Sequence, residues 1–84
     1  MYQLEIKNKA KKELRTLPQK DQARIIAAFD ILLKDPFAGK KLEGEYDGAR
    51  SLRVWPYRII YVIYQDIVTV VVLRVAHRQS VYNK

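Results

Sequence analysis

The sequence predicts an α+β domain in which a helical hairpin packs on one face of a mainly antiparallel, four-stranded sheet. Three observations carry this. The chain opens on a period-two alternation, with Tyr2, Leu4 and Ile6 set against Gln3, Glu5 and Lys7. A helical period follows between Ala10 and Leu33. From Arg50 onward β-branched and aromatic residues dominate, as strands require. The predicted order is β-α-α-β-β-β, in one domain spanning residues 1–84.

Residues 2–7 make the first, half-buried strand. Asn8 can break it and cap the helix after it. Ala10, Leu14 and Leu17 are spaced i, i+4, i+7 and give a short amphipathic helix. Pro18 ends that helix or starts the next, because proline suits a first turn and not an interior. Ile25, Ile26, Phe29, Leu32 and Leu33 form the stripe of the second helix. Lys34, Asp35 and Pro36 stop it, since a residue before proline is pushed out of helical geometry. The tight link at Pro18 implies an antiparallel pair. Residues 37–48 hold all 3 glycines and read as a connector. Three strands follow at residues 51–55, 57–64 and 67–76. Pro56 marks an edge, bend or bulge, and Gln65-Asp66 a short turn. The last strand is apolar on both faces apart from Thr69 and Arg74, which predicts a central position. Arg74, inside that strand, is expected to pair with an acid or to snorkel outward.

At 84 residues with 49% hydrophobic content, the chain suits one folded domain and not a disordered one. It has no cysteine, which excludes disulfides and thiol chemistry. A single histidine, without a visible carboxylate cluster, gives no expectation of a metal site or of any cofactor. Polar residues from Gln3 onward do not resemble a signal peptide, and the apolar run at 67–73 is too short to cross a membrane. A soluble, cytoplasmic protein without membrane contact is the expectation. The formal net charge is +7, which favours an anionic partner such as nucleic acid, an acidic protein segment, or both.

The charge is concentrated late: Arg50, Arg53, Arg58, Arg74, Arg78 and Lys84 are offset after position 48 by Asp66 alone. If the helices cover Leu52 and Val54, then Ser51, Arg53 and Trp55 face the other way. Whether Arg58 joins them depends on the register across Pro56. Arginines converging on one concave face would bind phosphate bidentately and keep their charge. Trp55 and Tyr82 offer planes for base stacking, worth about 1–3 kcal/mol per base. Lys40 and Lys41 can reach phosphate from the connector. Each also has a plainer reading: a solvated sheet face for the arginines, rim packing for Trp55, a structural role for His77, and an edge seal for Tyr82.

Several motifs in order carry a resemblance across nearly all of the chain. They are the Leu17-Pro18 joint, Leu33-Lys34-Asp35-Pro36, Lys41-Leu42-Glu43-Gly44, Leu52-Arg53-Val54, Tyr57-Arg58-Ile59-Ile60-Tyr61, and Val75-Ala76-His77-Arg78 with Tyr82. Together they resemble the RelE/ParE superfamily of type II toxin–antitoxin toxins, and its RelE-like mRNA interferase branch in particular. The resemblance implies a ribosome-dependent endoribonuclease that cuts mRNA in the A site and is neutralised by a cognate antitoxin. It implies attack of a 2′-hydroxyl on the adjacent phosphate. By position, Arg58 matches the arginine on the scissile phosphate, Arg78 the residue at the leaving group, Tyr82 the substrate-orienting tyrosine, and Arg53 the second of two basic residues on the preceding strand. The first of those two is Ser51 here, unless Arg50 substitutes. The expected catalytic set is thus Arg53, Arg58, His77, Arg78 and Tyr82, with Lys40, Lys41, Arg50, Ser51 and Trp55 as RNA contacts. His77 enters as the one side chain whose ordinary pKa suits a general base. The rival readings are a ParE-like inhibitor of DNA gyrase and a non-catalytic module that binds RNA or a partner.

Overall fold

The computed structural model describes residues 1–77; Arg78 and Tyr82 of the expected site lie outside the described residues. The elements are β1 (Gln3–Ile6), α1 (Asn8–Arg15), α2 (Gln19–Lys34), β2 (Lys40–Lys41), a 3-10 turn (Gly44–Tyr46), β3 (Arg50–Val54), β4 (Tyr57–Tyr64) and β5 (Thr69–His77). They form an α+β unit with one sheet in the order β1-β5-β4-β3-β2. The pair β1–β5 is parallel and the other pairs are antiparallel. The sheet has five strands, not the predicted four. The additional strand is β2, two residues inside the connector, whose lysines pair with Ser51 and Arg50. As predicted, β5 is central, flanked by β1 and β4.

The helices cover one face of the sheet. Ala10, Ile25, Ala28, Phe29 and Leu32 pack on Ile59, Tyr61, Val70, Val72 and Val75. Ile26 is exposed and Ala28 buried, so the stripe of α2 is rotated from the predicted one. Asn8 is the first residue of α1 and makes no side-chain cap. Pro18 precedes α2, and its carbonyl accepts the N–H groups of Asp21 and Gln22, both at 2.9 Å. The Gln22 amide donates to Leu17 O at 2.8 Å, which satisfies a carbonyl left over at the end of α1.

Two irregularities decide where side chains point. The first is a bulge in β5: Ile60 pairs with Arg74 and Tyr61 with Val72, so Leu73 is the extra residue. Val70 and Val72 face the helices, and beyond the bulge so does Val75. The alternation of β5 is reversed at that point. The second is the β4–β5 turn, where Val68 has φ +51°. A β-branched residue is strained there. The Val68 carbonyl accepts the Gln3 N–H at 2.8 Å, beginning the parallel ladder that holds the turn.

Candidate nucleic-acid interface

β3 and β4 form a hairpin whose two-residue turn is Trp55-Pro56, with Val54 opposite Tyr57 and Arg53 opposite Arg58. Leu52, Val54, Tyr57 and Ile59 pack toward the helices, so Ser51, Arg53 and Arg58 occupy the other face. Pro56 does not break the register, and the two arginines share one surface. Ala76 stands next to Arg58 on β5, a small side chain that leaves room beside the guanidinium. The face opens into a cleft of about 470 Å³ whose wall includes Lys40, Lys41, Ser51, Arg53 and Arg58, with no acid among the described residues that line it. A wall with four cations and no carboxylate focuses positive potential.

Lys40 pairs with Ser51 and Lys41 with Arg50. Lys40 therefore shares the arginine face by register. Lys41 alternates to the other side yet still forms part of the cleft wall. Arg50 does not join the cluster. It pairs with Tyr61 on the helix side, its guanidinium lies 5.0 Å from the centre of the Phe37 ring, and Nη1 donates to Gly39 O at 2.7 Å. Its role is to fasten the connector. Ser51 is buried, and its hydroxyl has no hydrogen-bond partner among the described residues.

Trp55 falls in the hairpin turn and not in the strand. Its ring lies 5.8 Å from the Arg53 guanidinium, a cation–π distance, and it is 52% exposed. The Trp55 carbonyl accepts Arg24 Nη2 at 2.8 Å. Trp55 does not line the arginine cleft; with Arg24, Ala28 and Ile31 of α2 it lines a neighbouring groove that also touches Arg53.

His77 is placed elsewhere. The bulge sets it opposite Tyr57 and sets Ala76 opposite Arg58. The His77 and Tyr57 rings meet edge to face, with centroids 6.0 Å apart. Tyr57 Oη donates to Asp21 Oδ2 at 2.6 Å, and that bond, ahead of burial, raises the phenol above its ordinary value. His77 thus sits on the helix side of the sheet, and the structure does not bring it together with Arg53 and Arg58.

Arg74 pairs with an acid, as expected of a cation inside an apolar strand. Its Nε donates to Glu13 Oε2 at 3.0 Å and its Nη1 to the Tyr46 hydroxyl at 3.2 Å. The other Glu13 oxygen accepts the Val75 N–H at 2.9 Å. β1 ends at Ile6, paired with Val72, so Glu13 from α1 satisfies an edge amide of β5 that no strand reaches. Glu13 is a structural keystone that sequence reasoning passed over, and so is the hydrogen-bonding role of the Tyr61 hydroxyl. For Tyr61 a signal existed: alternation puts a phenol among buried aliphatic groups, and a buried hydroxyl needs a partner.

This fold, with its basic cleft on the sheet face opposite the helices, defines the chain as a RelE/ParE-type toxin. The family described as the ParE toxin of type II toxin–antitoxin system, parDE, matches residues 4–82, and the chain belongs to it. It is 35% identical over 85 residues to Toxin RelG of Mycobacterium tuberculosis, covering 99% of this chain and 98% of that protein. The structure of the Mycobacterium tuberculosis toxin–antitoxin complex RelBE2 superposes with a TM-score of 0.84 at 37% identity, covering 92% of this chain and 98% of that one. The isolated Escherichia coli RelE toxin superposes with a TM-score of 0.78 at 25% identity, covering 92% and 84%. Among the described residues no helix is long and apolar enough to cross a membrane.

Proposed function

We propose that this toxin is a ribosome-dependent endoribonuclease that cleaves mRNA in the A site. The observation that carries the reading is the directly opposed pair Arg53 and Arg58 in an acid-free cleft. Like charges placed opposite one another destabilise a sheet, and a polyanion entering the cleft would remove that penalty. In this reading the 2′-hydroxyl gives its proton to solvent as its oxygen attacks the adjacent phosphorus, the bond from phosphorus to the 5′-oxygen breaks, that oxygen takes up a proton from solvent, and a 2′,3′-cyclic phosphate remains. Arg58 and Arg53 neutralise the phosphorane, with Arg58 on the scissile phosphate. Lys40 and Lys41 hold the flanking backbone, and Trp55 stacks on a base. Arg78 stabilises the leaving oxygen and Tyr82 orients the substrate, as the family resemblance implies. His77, turned to the helix side, is left outside this reaction. A cognate antitoxin with an acidic segment would silence the toxin by neutralising or covering the same cations. Relatives solved as toxin–antitoxin complexes support that part of the reading.

The family's description as ParE favours one alternative, inhibition of DNA gyrase. The test adds purified protein to programmed ribosomes and maps mRNA 5′ ends, beside a gyrase supercoiling assay. A-site cuts with unaffected supercoiling are expected. Inhibited supercoiling without cuts would reverse the assignment.

A further inference from the structure

The connector that carries Lys40 is held from the core by a buried phenol, beside the Arg50 contact to Gly39 O. Tyr61 projects from β4 to the helix side and is fully buried. Its hydroxyl accepts the Gly39 N–H at 2.9 Å and donates to Pro36 O at 2.7 Å. Both bonds cross from the sheet to the turn immediately before β2. Burial, the largest cause, pushes the phenol above its ordinary value of 10.0, so it stays a donor across the neutral range. A Cβ at Gly39 would lie 2.6 Å from Tyr61 Oη and 2.8 Å from Ser51 O. Gly39 therefore lets the chain press between the phenol and β3. The next residue, Lys40, is the register partner of Ser51.

We propose that Tyr61 is a positioning residue for the cleft: by clamping the turn from Pro36 to Gly39 it fixes Lys40 across from Ser51, making Lys40 the third cation on the face of Arg53 and Arg58. The proposal rests on the reading of the cleft as an RNA site and adds a device to it. β2 is only two residues long, and its ladder alone is too short to set the position of a lysine. The clamp does so from the far side of the sheet. Ser51 fits the arrangement, because a second cation at that position would stand opposite Lys40 and repel it.

The test is binding of a fluorescein-labelled single-stranded RNA 12-mer, followed by anisotropy over a range of salt. Each phosphate contact contributes about 0.7 to the slope of log K against log salt for a single strand. Lys40→Ala should flatten the slope by about that much. Tyr61→Phe should flatten it equally, and the double variant should go no further. Gly39→Ala forces a methyl against the phenol oxygen, displaces the same turn with the hydroxyl retained and should repeat the loss, which covers the case in which Tyr61→Phe fails to fold. An unchanged slope in folded Tyr61→Phe, with a flattened one in Lys40→Ala, would overturn the clamp and leave the RNA site standing. Additive losses in the double variant would also overturn it. A wild-type chain with no salt-dependent RNA binding would overturn the clamp as a device for RNA contact, while the ribosome assay alone decides the cleavage reading.

Discussion

Arg53 and Arg58 are cross-strand partners on the face of the β3–β4 hairpin opposite the helices, with Ala76 beside the second. Like charges directly opposite one another do not stabilise a ladder, so the strand pairing itself does not call for two guanidinium groups there. Replacing one of them should therefore separate activity from stability. Arg58→Ala is expected to reduce A-site cleavage by about 10²–10³-fold, the usual effect of removing one transition-state donor. Its urea unfolding midpoint should change little. Wild-type cleavage by this variant would sink the assignment.

His77 offers the converse case. Its ring meets Tyr57 on the helix side, away from the arginines. His77→Gln is expected to leave the cleavage rate and its pH profile essentially as they are. A sharp loss of rate together with a changed profile would show that the side chain does reach the reacting phosphate.

Glu13 joins α1 to both the Arg74 side chain and the Val75 amide. Hydrogen bonds to charged groups contribute about 1.5–3 kcal/mol each, and the partners left behind are partly buried. Glu13→Ala should lower the unfolding free energy by roughly 2–3 kcal/mol, read from chemical denaturation. Glu13→Gln keeps an acceptor for Val75 and should cost less. Equal losses would mean that the charge, and not the amide contact, carries the effect.

The phenols of Tyr57 and Tyr61 are both raised above 10.0, through the Asp21 hydrogen bond and through burial respectively. A raised value means that the folded chain holds the proton more tightly than the unfolded one. The stabilisation is complete below pH 10.0 and is lost as pH rises above it. The melting temperature should fall through that alkaline window, and less steeply in Tyr61→Phe. Identical slopes would remove Tyr61 from the linkage.

Much of this architecture can be read from the residues. The alternation of Tyr2, Leu4 and Ile6 yields β1, and the two-faced apolar run from Val70 to Val72 yields a central strand. What resisted reading has physical causes. Lys40 and Lys41 carry no apolar alternation, because an edge strand of two exposed residues buries nothing. Ile26 looks like core, yet the sheet takes up the small Ala28, which lets α2 approach closely. The pairing of Arg53 with Arg58 hung on Pro56, which could have shifted the register and instead occupies a two-residue turn. The side of His77 was hidden by Leu73: one unpaired residue in an unbroken apolar run reverses every later side chain, and nothing in the types Val, Leu and Ile marks it.

The parallel pairing of β1 with β5 has a temporal consequence. Gln3 is matched with Thr69, so the first strand made must wait for the last before it has a neighbour. Lys40, Arg53 and Arg58 are synthesised long before the strand on which β4 rests. A chain ending at Asp66 should show no cooperative melting by circular dichroism, although it carries all four cations of the described cleft wall. If the toxin is the proposed nuclease, its cleft becomes rigid only once β5 has joined the sheet between β1 and β4.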